Sequence, residues 1–356
     1  MSISFSILDI NDGPQCNKWD SFVNKSESGT PYHLAAWGKA VESAYSFSAL
    51  YFVAKLDQQI VAICPAIKMR SLKGHSSVCS LPYCDLGGIL AIDDDSKMAM
   101  QNHIHMYCDK NGLKTVEFRE SASETLALDD APTGDKVRML LSLPDDSESL
   151  MTQFKSKLRS QIRKAEKNGL TFQVSNGLAA TSSDVDEFYD IIAENMRLLG
   201  SPVHSKQWYK SIIQAYGKNV YLALVYSEEI AVGAALVILN DTKAVIPWAS
   251  TRVQYNRLAP NMLLYWAVLS HATSMGLNEF DFGRSTVGEG TYNFKKQWGC
   301  LPQKLEWKHY KHGEPVETAE NTSSSSVRNT VASVWQKLPL GITNAVGPKL
   351  RKYISL

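Results

Sequence analysis

The sequence predicts an α+β protein built from two copies of one unit, each a mixed, mostly antiparallel sheet flanked by helices. Three observations carry this reading. In the second half, helical apolar spacing alternates with short β-branched and aromatic runs, in the order strand, helices, three strands, helix, strand, glycine-rich segment, strand. The first half repeats that order with weaker signals. A chain of 356 residues, 44% hydrophobic and 21% charged, also fits two cores more readily than one. A period of half the chain marks a duplicated domain, since solenoid repeats run about 20 to 50 residues.

The elements follow in order. ISFSILDI is a strand, helical segments lie near Lys18 to Val23 and His33 to Ala44, and SALYFVAKL with QIVAICPAIKM forms a hairpin. LGGILAI, a helix from Ser96 to Lys110, and the strands LKTVEF and KVRMLLSL complete a first domain over 1–145. In the second domain, 146–312, a cap at Pro144 to Ser147 precedes one long helix. Its stripe is Leu150, Phe154, Leu158, Ile162 and Ala165, and Asn168-Gly169 closes it. The strand LTFQV follows. Ser182-Ser183-Asp184 caps a helix stopped by Gly200, and a third helix covers Ser205 to Tyr216. VYLALVYS, IAVGAALVIL and KAVIPWAS read as an antiparallel meander. Pro260 opens a helix at its first position and Gly276 ends it. The strand NEFDF ends at Phe282, Gly283 turns the chain, and QKLEWKHY is the final strand. Ser323 to Ser326 marks a linker over 313–326, and Val327, Val331, Val334, Trp335 and Leu338 trace an amphipathic tail in 327–356.

Charge and cysteine usage narrow the function classes. The 37 Lys+Arg against 36 Asp+Glu leave a formal charge of +1, so a nucleic-acid partner must be met by a local patch. The N-terminus lacks the pattern of a secretory signal, and no run approaches the roughly 18 apolar residues of a spanning helix, so a cytoplasmic protein is the expectation. Six scattered cysteines without CxxC pairs or matching histidines argue against zinc and against a disulfide framework.

The stretch FDFGRSTVGEGTYNFKKQWG, Phe280 to Gly299, concentrates the chemistry. An apolar strand opens into backbone-exposing glycines beside Tyr292, Lys295, Lys296 and Trp298, an arrangement suited to an anionic or acyl substrate. A surface turn followed by a short amphipathic helix is the alternative. On the first helix of the second domain, Lys155, Lys157, Arg159, Arg163, Lys164 and Lys167 occupy the arc opposite the apolar stripe, either as a solvated face or as a contact for phosphates.

The element order resembles that of the GNAT acyltransferase fold in tandem. More specifically, KSKLRSQIRKAEKNGL, NMRLLGSPVHS, PWAS, RLAPNMLLYWAV and DFGRSTVGEGTYNFKKQWG resemble the FemAB family, as do HLAAW, LPYCDLGG and DKVRMLLSL in the first half. Within that family the resemblance is to the branch associated with exosortase and exopolysaccharide gene clusters. It implies aminolysis of an activated ester or thioester: an acyl or aminoacyl group passes to an amine of a cell-envelope, peptidoglycan or exopolysaccharide precursor. The co-substrate is then aminoacyl-tRNA or acyl-CoA, with no metal or bound cofactor.

In that frame Lys295 is the lysine of the family's FK element at the transfer centre. Asp281 is expected to position or deprotonate the amine, and Arg284 to grip carboxylate or phosphate, with a mutual Asp281–Arg284 pair as the structural alternative. Asn195, Arg197, Ser201, Trp248, Asn261 and Tyr292 are the expected substrate contacts, and Arg159, Arg163, Lys164 and Lys296 the phosphate or tRNA contacts. The segment Gln254 to Asn261 lacks the glycines with which acyl-CoA enzymes of this fold cradle pyrophosphate, and Pro260 removes an amide. That favours a donor other than CoA. Two readings outside this one stay open: an acyl-CoA N-acyltransferase, and a silent protein that binds a glycan or lipid-linked intermediate. The basic, apolar tail is expected either to dock on its own protein, since Pro339 and Pro348 interrupt a short helix, or to touch the inner membrane peripherally.

Overall fold

A computed structural model describes residues 2–71, 74–316 and 325–355. It resolves into two compact units, the first formed by Met1–Ser123, Leu305–Val327 and Lys352–Leu356, the second by Glu124–Lys304 and Arg328–Arg351. Each is a mixed, mostly antiparallel sheet with helices packed on it.

Unit 1 begins with β1 (Ser4–Leu8), α1 (Gly13–Lys25) and α2 (Ala35–Tyr45), then β2 (Ser48–Leu56), β3 (Gln59–Arg70), β4 (Ser76–Cys79) and the short β5 (Leu90–Ala91). After α3 (Asp94–Lys110) comes β6 (Thr115–Thr125). Strands β1 to β4 pair antiparallel in order, and β6 runs parallel to β4. The Asp93 carboxylate accepts from the Ser96 amide and so fixes the start of α3. That helix packs its Met100, Ile104 and Cys108 into the core formed by Phe52, Ala62, Cys64 and Val116.

Unit 2 starts with β7 (Lys136–Ser142), α4 (Ser147–Gln153), α5 (Ser156–Lys167) and β8 (Leu170–Asn176). The helices α6 (Ser182–Leu198) and α7 (Lys206–Tyr216) lead into the meander β9 (Val220–Ser227), β10 (Ile230–Leu239) and β11 (Lys243–Thr251). Then follow α8 (Pro260–Ser274), β12 (Glu279–Thr286), α9 (Gly290–Lys296) and β13 (Leu301–Lys311). The sheet order is β13–β7–β12–β11–β10–β9–β8, with β11 and β12 as its parallel pair. Its core joins Leu150, Leu158 and Ile162 of the first helices to Leu264, Val268 and Ala272 of α8 and to Phe280 and Phe282 of β12. The short β14 (Glu314–Pro315) and the helices α10 (Ser325–Lys337) and α11 (Leu340–Arg351) end the description.

Four sequence expectations change here. The long helix over residues 150–165 is two, because Phe154 is extended (ψ 144°) and buries its ring edge-on against Trp266 and Trp298. KVRMLLSL, expected to close the first domain, is β7 and pairs with β12 and β13 inside unit 2, while β13 continues from Leu305 into unit 1 beside β6. The division therefore falls after residues 123, 304, 327 and 351 rather than at 145 and 312. NEFDF does not stop at Phe282 but runs on to Thr286, with Gly283 in a bulge rather than a turn. The serine-rich linker over 313–326 lies largely outside the described residues.

Candidate functional site

Strands β11 and β12 share a ladder over only three pairs, Lys243–Val245 with Glu279–Asp281, and then part. Both carry the means to bend. The β10–β11 register shifts between Leu236 and Ile238, next to Pro247, which has no amide to donate. The β12–β7 register shifts between Asp281 and Arg284, where Gly283 adopts φ +73°. A gap thus opens in unit 2 between two strands whose outer edges stay paired to β10 and β7.

Side chains stabilise the β12 bulge from both sides. Asp281 is buried; one carboxylate oxygen accepts from the Gly283 amide at 2.7 Å and the other meets Arg138 Nε at 3.1 Å. Arg138, on β7, also reaches Glu279 at 3.3 Å. Lys295, on α9, is buried too, and its Nζ donates to the carbonyls of Gly283 (2.9 Å) and Arg284 (2.8 Å). Both candidates therefore act on the backbone of β12, while the Arg284 side chain is partly exposed. Tyr292 is buried on α9 and donates its hydroxyl to the Leu128 carbonyl at 3.2 Å, so it builds the wall. Lys296 is more open and faces Asp129 at 3.8 Å.

On the other strand, Trp248 is partly exposed and lies edge-on to Tyr209 and Trp208, with ring centroids 5.2 and 6.1 Å away. His204 completes this aromatic group, and burial, seconded by the charge of Arg351, holds its imidazole well below its usual pKa. Thr251, at the end of β11, donates to the Asn261 side chain at 3.2 Å and so ties the strand to the first turn of α8. Beyond it, Arg252 pairs with Glu194 of α6 and donates to the Ala231 carbonyl. The approach to α8 is a 3-10 turn, Val253–Leu258, then Ala259 in the left-handed region, whose carbonyl accepts from the Met262 amide. One first-turn amide is thereby already paired.

The remaining candidates sit apart from the gap's strands. Asn195 and Arg197 lie in the last turn of α6, where Arg197 donates to the Gln336 carbonyl of α10 and the Ser201 amide returns to Met196. Arg163 and Lys164 are exposed on α5, with Arg159 half-exposed and bonded to the Thr152 carbonyl. Sequence reading missed Arg138, Thr251, His204 and the Arg252–Glu194 pair. Arg138 carried a usable signal: an arginine inside an apolar strand run requires a buried anion.

Unit 1 has an equivalent parallel pair, β4 and β6, but its parting is filled by the chain itself. Residues 80–88 bridge it: the Ser80 amide donates to Glu117, the Ser80 hydroxyl accepts from the Arg119 amide, and Gly87 donates to the Arg119 carbonyl. A Cβ on Gly87 would stand 2.3 Å from the Ser80 carbonyl oxygen, so only glycine allows that approach. A hollow of about 1110 Å³ elsewhere in unit 1, lined by Lys18, Lys25 and Asp93 among others, contains none of the candidate residues. Among the described residues no cluster of His, Cys, Asp and Glu could hold a metal, and no helix is long and apolar enough to cross a membrane.

Comparison with known proteins agrees with this geometry. Residues 152–296 match the acetyltransferase (GNAT) domain model. No curated protein matches the chain. The structure is similar to that of FemX, with TM-score 0.66 and 12% identity over 86% of this chain and 97% of that one. It is similar to a tandem GNAT protein from the clavulanic acid biosynthesis pathway, with TM-score 0.53 and 10% identity over 89% of this chain and 100% of that one. It is also similar to the C-terminal domain of a protein named as a lysylphosphatidylglycerol synthetase of Agrobacterium fabrum, with TM-score 0.54 and 13% identity over 89% of this chain and 96% of that one. The chain has the tandem GNAT fold, with the open strand gap inside the segment that matches the GNAT model.

Proposed function

We propose that the protein transfers an acyl or aminoacyl group from an activated ester or thioester to an amine of a cell-envelope or exopolysaccharide precursor. The carrying observation is the parting of β11 and β12 beside the start of α8, in a segment matching the GNAT model. Such a gap takes an extended acyl donor between two strands and brings its carbonyl to the bulge. The amine nitrogen attacks that carbonyl carbon, the bond to the ester oxygen or thioester sulfur breaks, and the ammonium proton leaves with the departing group or to solvent. Arg284 is the partly exposed cation on β12 and is assigned to the developing oxyanion or a donor phosphate. Asp281 and Lys295 are positioning residues that hold the backbone from which Arg284 projects. Trp248 and Asn261 line the opposite strand and the helix start.

The absence of glycines at residues 254–261 and the pairing of the Met262 amide with the Ala259 carbonyl favour aminoacyl-tRNA over acyl-CoA as donor. The basic face of α5 is then the phosphate contact. Acceptor contacts are assigned to the α6 end at Asn195, Arg197 and Ser201, and the acceptor is a small or lipid-linked amine handled on the cytoplasmic side.

Transfer assays pairing panels of aminoacyl-tRNAs and acyl-CoAs with amine acceptors test this reading. Acylation that disappears in Arg284→Ala while the melting temperature holds is the expected result. If no donor raises the melting temperature and no amine is acylated, the enzyme reading fails; donor binding without turnover would support a silent binding protein.

A further inference from the structure

Helices α10 and α11 place one face against unit 2 and turn another outward. The inward face is closely fitted: Ala332 lies against Gly200, Gly347 against Val203 and Trp335, and Gln336 donates to the Leu198 carbonyl. The exposed side of the two helices carries large apolar side chains. On α10 Val331 is 59% and Val334 57% exposed, on α11 Ile342 is 47% and Val346 41% exposed, and Leu199 at the α6 end is 61% exposed. Valine, leucine and isoleucine at these exposures cost solubility, and singly they need no explanation. Five on two consecutive helices and the α6 end do.

Charge identifies what covers them. From Ser325 to Arg351 the chain carries Arg328, Lys337, Lys349 and Arg351 and not one Asp or Glu, in a protein whose overall charge is only +1. Lys337 stands three residues beyond Val334, and Lys349 three beyond Val346, both exposed. An apolar ridge flanked by cations and free of anions is complementary to a surface that is apolar below and anionic above. We infer that the outer face of α10 and α11, with Leu199, docks on an anionic lipid bilayer, lying in the interface without crossing it. This inference is independent of the acyl-transfer reading, because it uses no residue of the strand gap.

Co-sedimentation of the full chain with phosphatidylcholine vesicles, with and without phosphatidylglycerol, tests it. The full chain should sediment with the anionic vesicles, be released by raised salt and stay in solution with the neutral ones. Val334→Asp with Ile342→Asp should abolish binding without changing the thermal melt. Lys337→Gln and Lys349→Gln should each weaken it about fivefold, the effect of about 1 kcal/mol for each basic residue near the surface. Failure to bind anionic vesicles, or undiminished binding by the aspartate variant, overturns the proposal. So does a concentration-dependent dimer that the aspartate variant dissociates, since the face would then belong to a second copy.

Discussion

Removing the charge from Asp281 tests how the β12 bulge is held. Its carboxylate lies 3.1 Å from Arg138 Nε, with both side chains under a tenth exposed. At an effective dielectric of about 20, unit charges at that separation attract by about 5 kcal/mol, against which stands the desolvation of both groups. Asp281→Asn keeps an oxygen for the Gly283 amide but leaves a buried guanidinium with only the more exposed Glu279 at 3.3 Å. Breaking one side of a buried pair costs about 3 to 5 kcal/mol, and the remaining Glu279 contact moves the expected loss to the lower end. Arg138→Met should cost a similar amount. The double variant should lose clearly less than the sum, by about 2 kcal/mol or more, because neither single variant's orphaned charge survives in it. Urea unfolding midpoints, compared at equal slope, measure all three. Additivity within about 0.5 kcal/mol would refute the reasoning, for the two residues would then act independently and the bulge would owe its shape to something else.

Other outcomes follow from the same geometry. Gly283→Ala places a Cβ at φ +73° and should destabilise by about 1 to 2 kcal/mol, read as a lower thermal midpoint; an unchanged midpoint would mean the bulge relaxes freely. His204 is held neutral by burial, and by Arg351, below the ordinary value of 6.5, so the unfolded chain binds the extra proton first. Stability is then lost as pH falls below 6.5, with a slope of up to about 1.4 kcal/mol per pH unit from this group, and His204→Phe should flatten that part of the profile. If tRNA is the donor, Arg163→Gln with Lys164→Gln should weaken binding and lower the salt slope by about 2; an unaltered slope removes α5 from the contact.

What could be read from sequence was whatever depends on local spacing. The meander β9 to β11, the helices α6 to α8 with Pro260 at the start of the last, and the tandem order all emerge from periodicity and turn residues. Pairing partners do not, which is why β7 could be seen as a strand but not as a neighbour of β12. Phe154 shows the other failure. Its apolar spacing satisfies a helix, yet the pull of Trp266 and Trp298 on its ring favours an extended backbone there. At the site, the charged residues inside apolar strands, Arg138 and Asp281, were legible as anomalies. Their contact was not, because it joins positions 143 residues apart in sequence, 281 less 138. Lys295 was legible as a cation near a glycine-broken segment, but a motif gives no direction to a side chain. Its Nζ is directed to the Gly283 and Arg284 carbonyls.

The two units show why such bracing is needed. Parting a parallel pair leaves backbone groups without ladder partners, and a buried group left so costs about 1 to 3 kcal/mol. Unit 1 meets the demand with backbone: residues 80–88 fold into the parting, Gly87 making the approach possible, and the space is consumed. Unit 2 meets it with side chains. Asp281 takes the Gly283 amide and Lys295 takes two carbonyls, so β12 is satisfied at its bulge without a strand or loop filling the gap. Side-chain bracing therefore lets one unit keep its gap where the other has closed it. It also predicts a difference between them: loosening residues 80–88 should destabilise unit 1 alone, whereas loosening Lys295 should alter the shape of the candidate site itself.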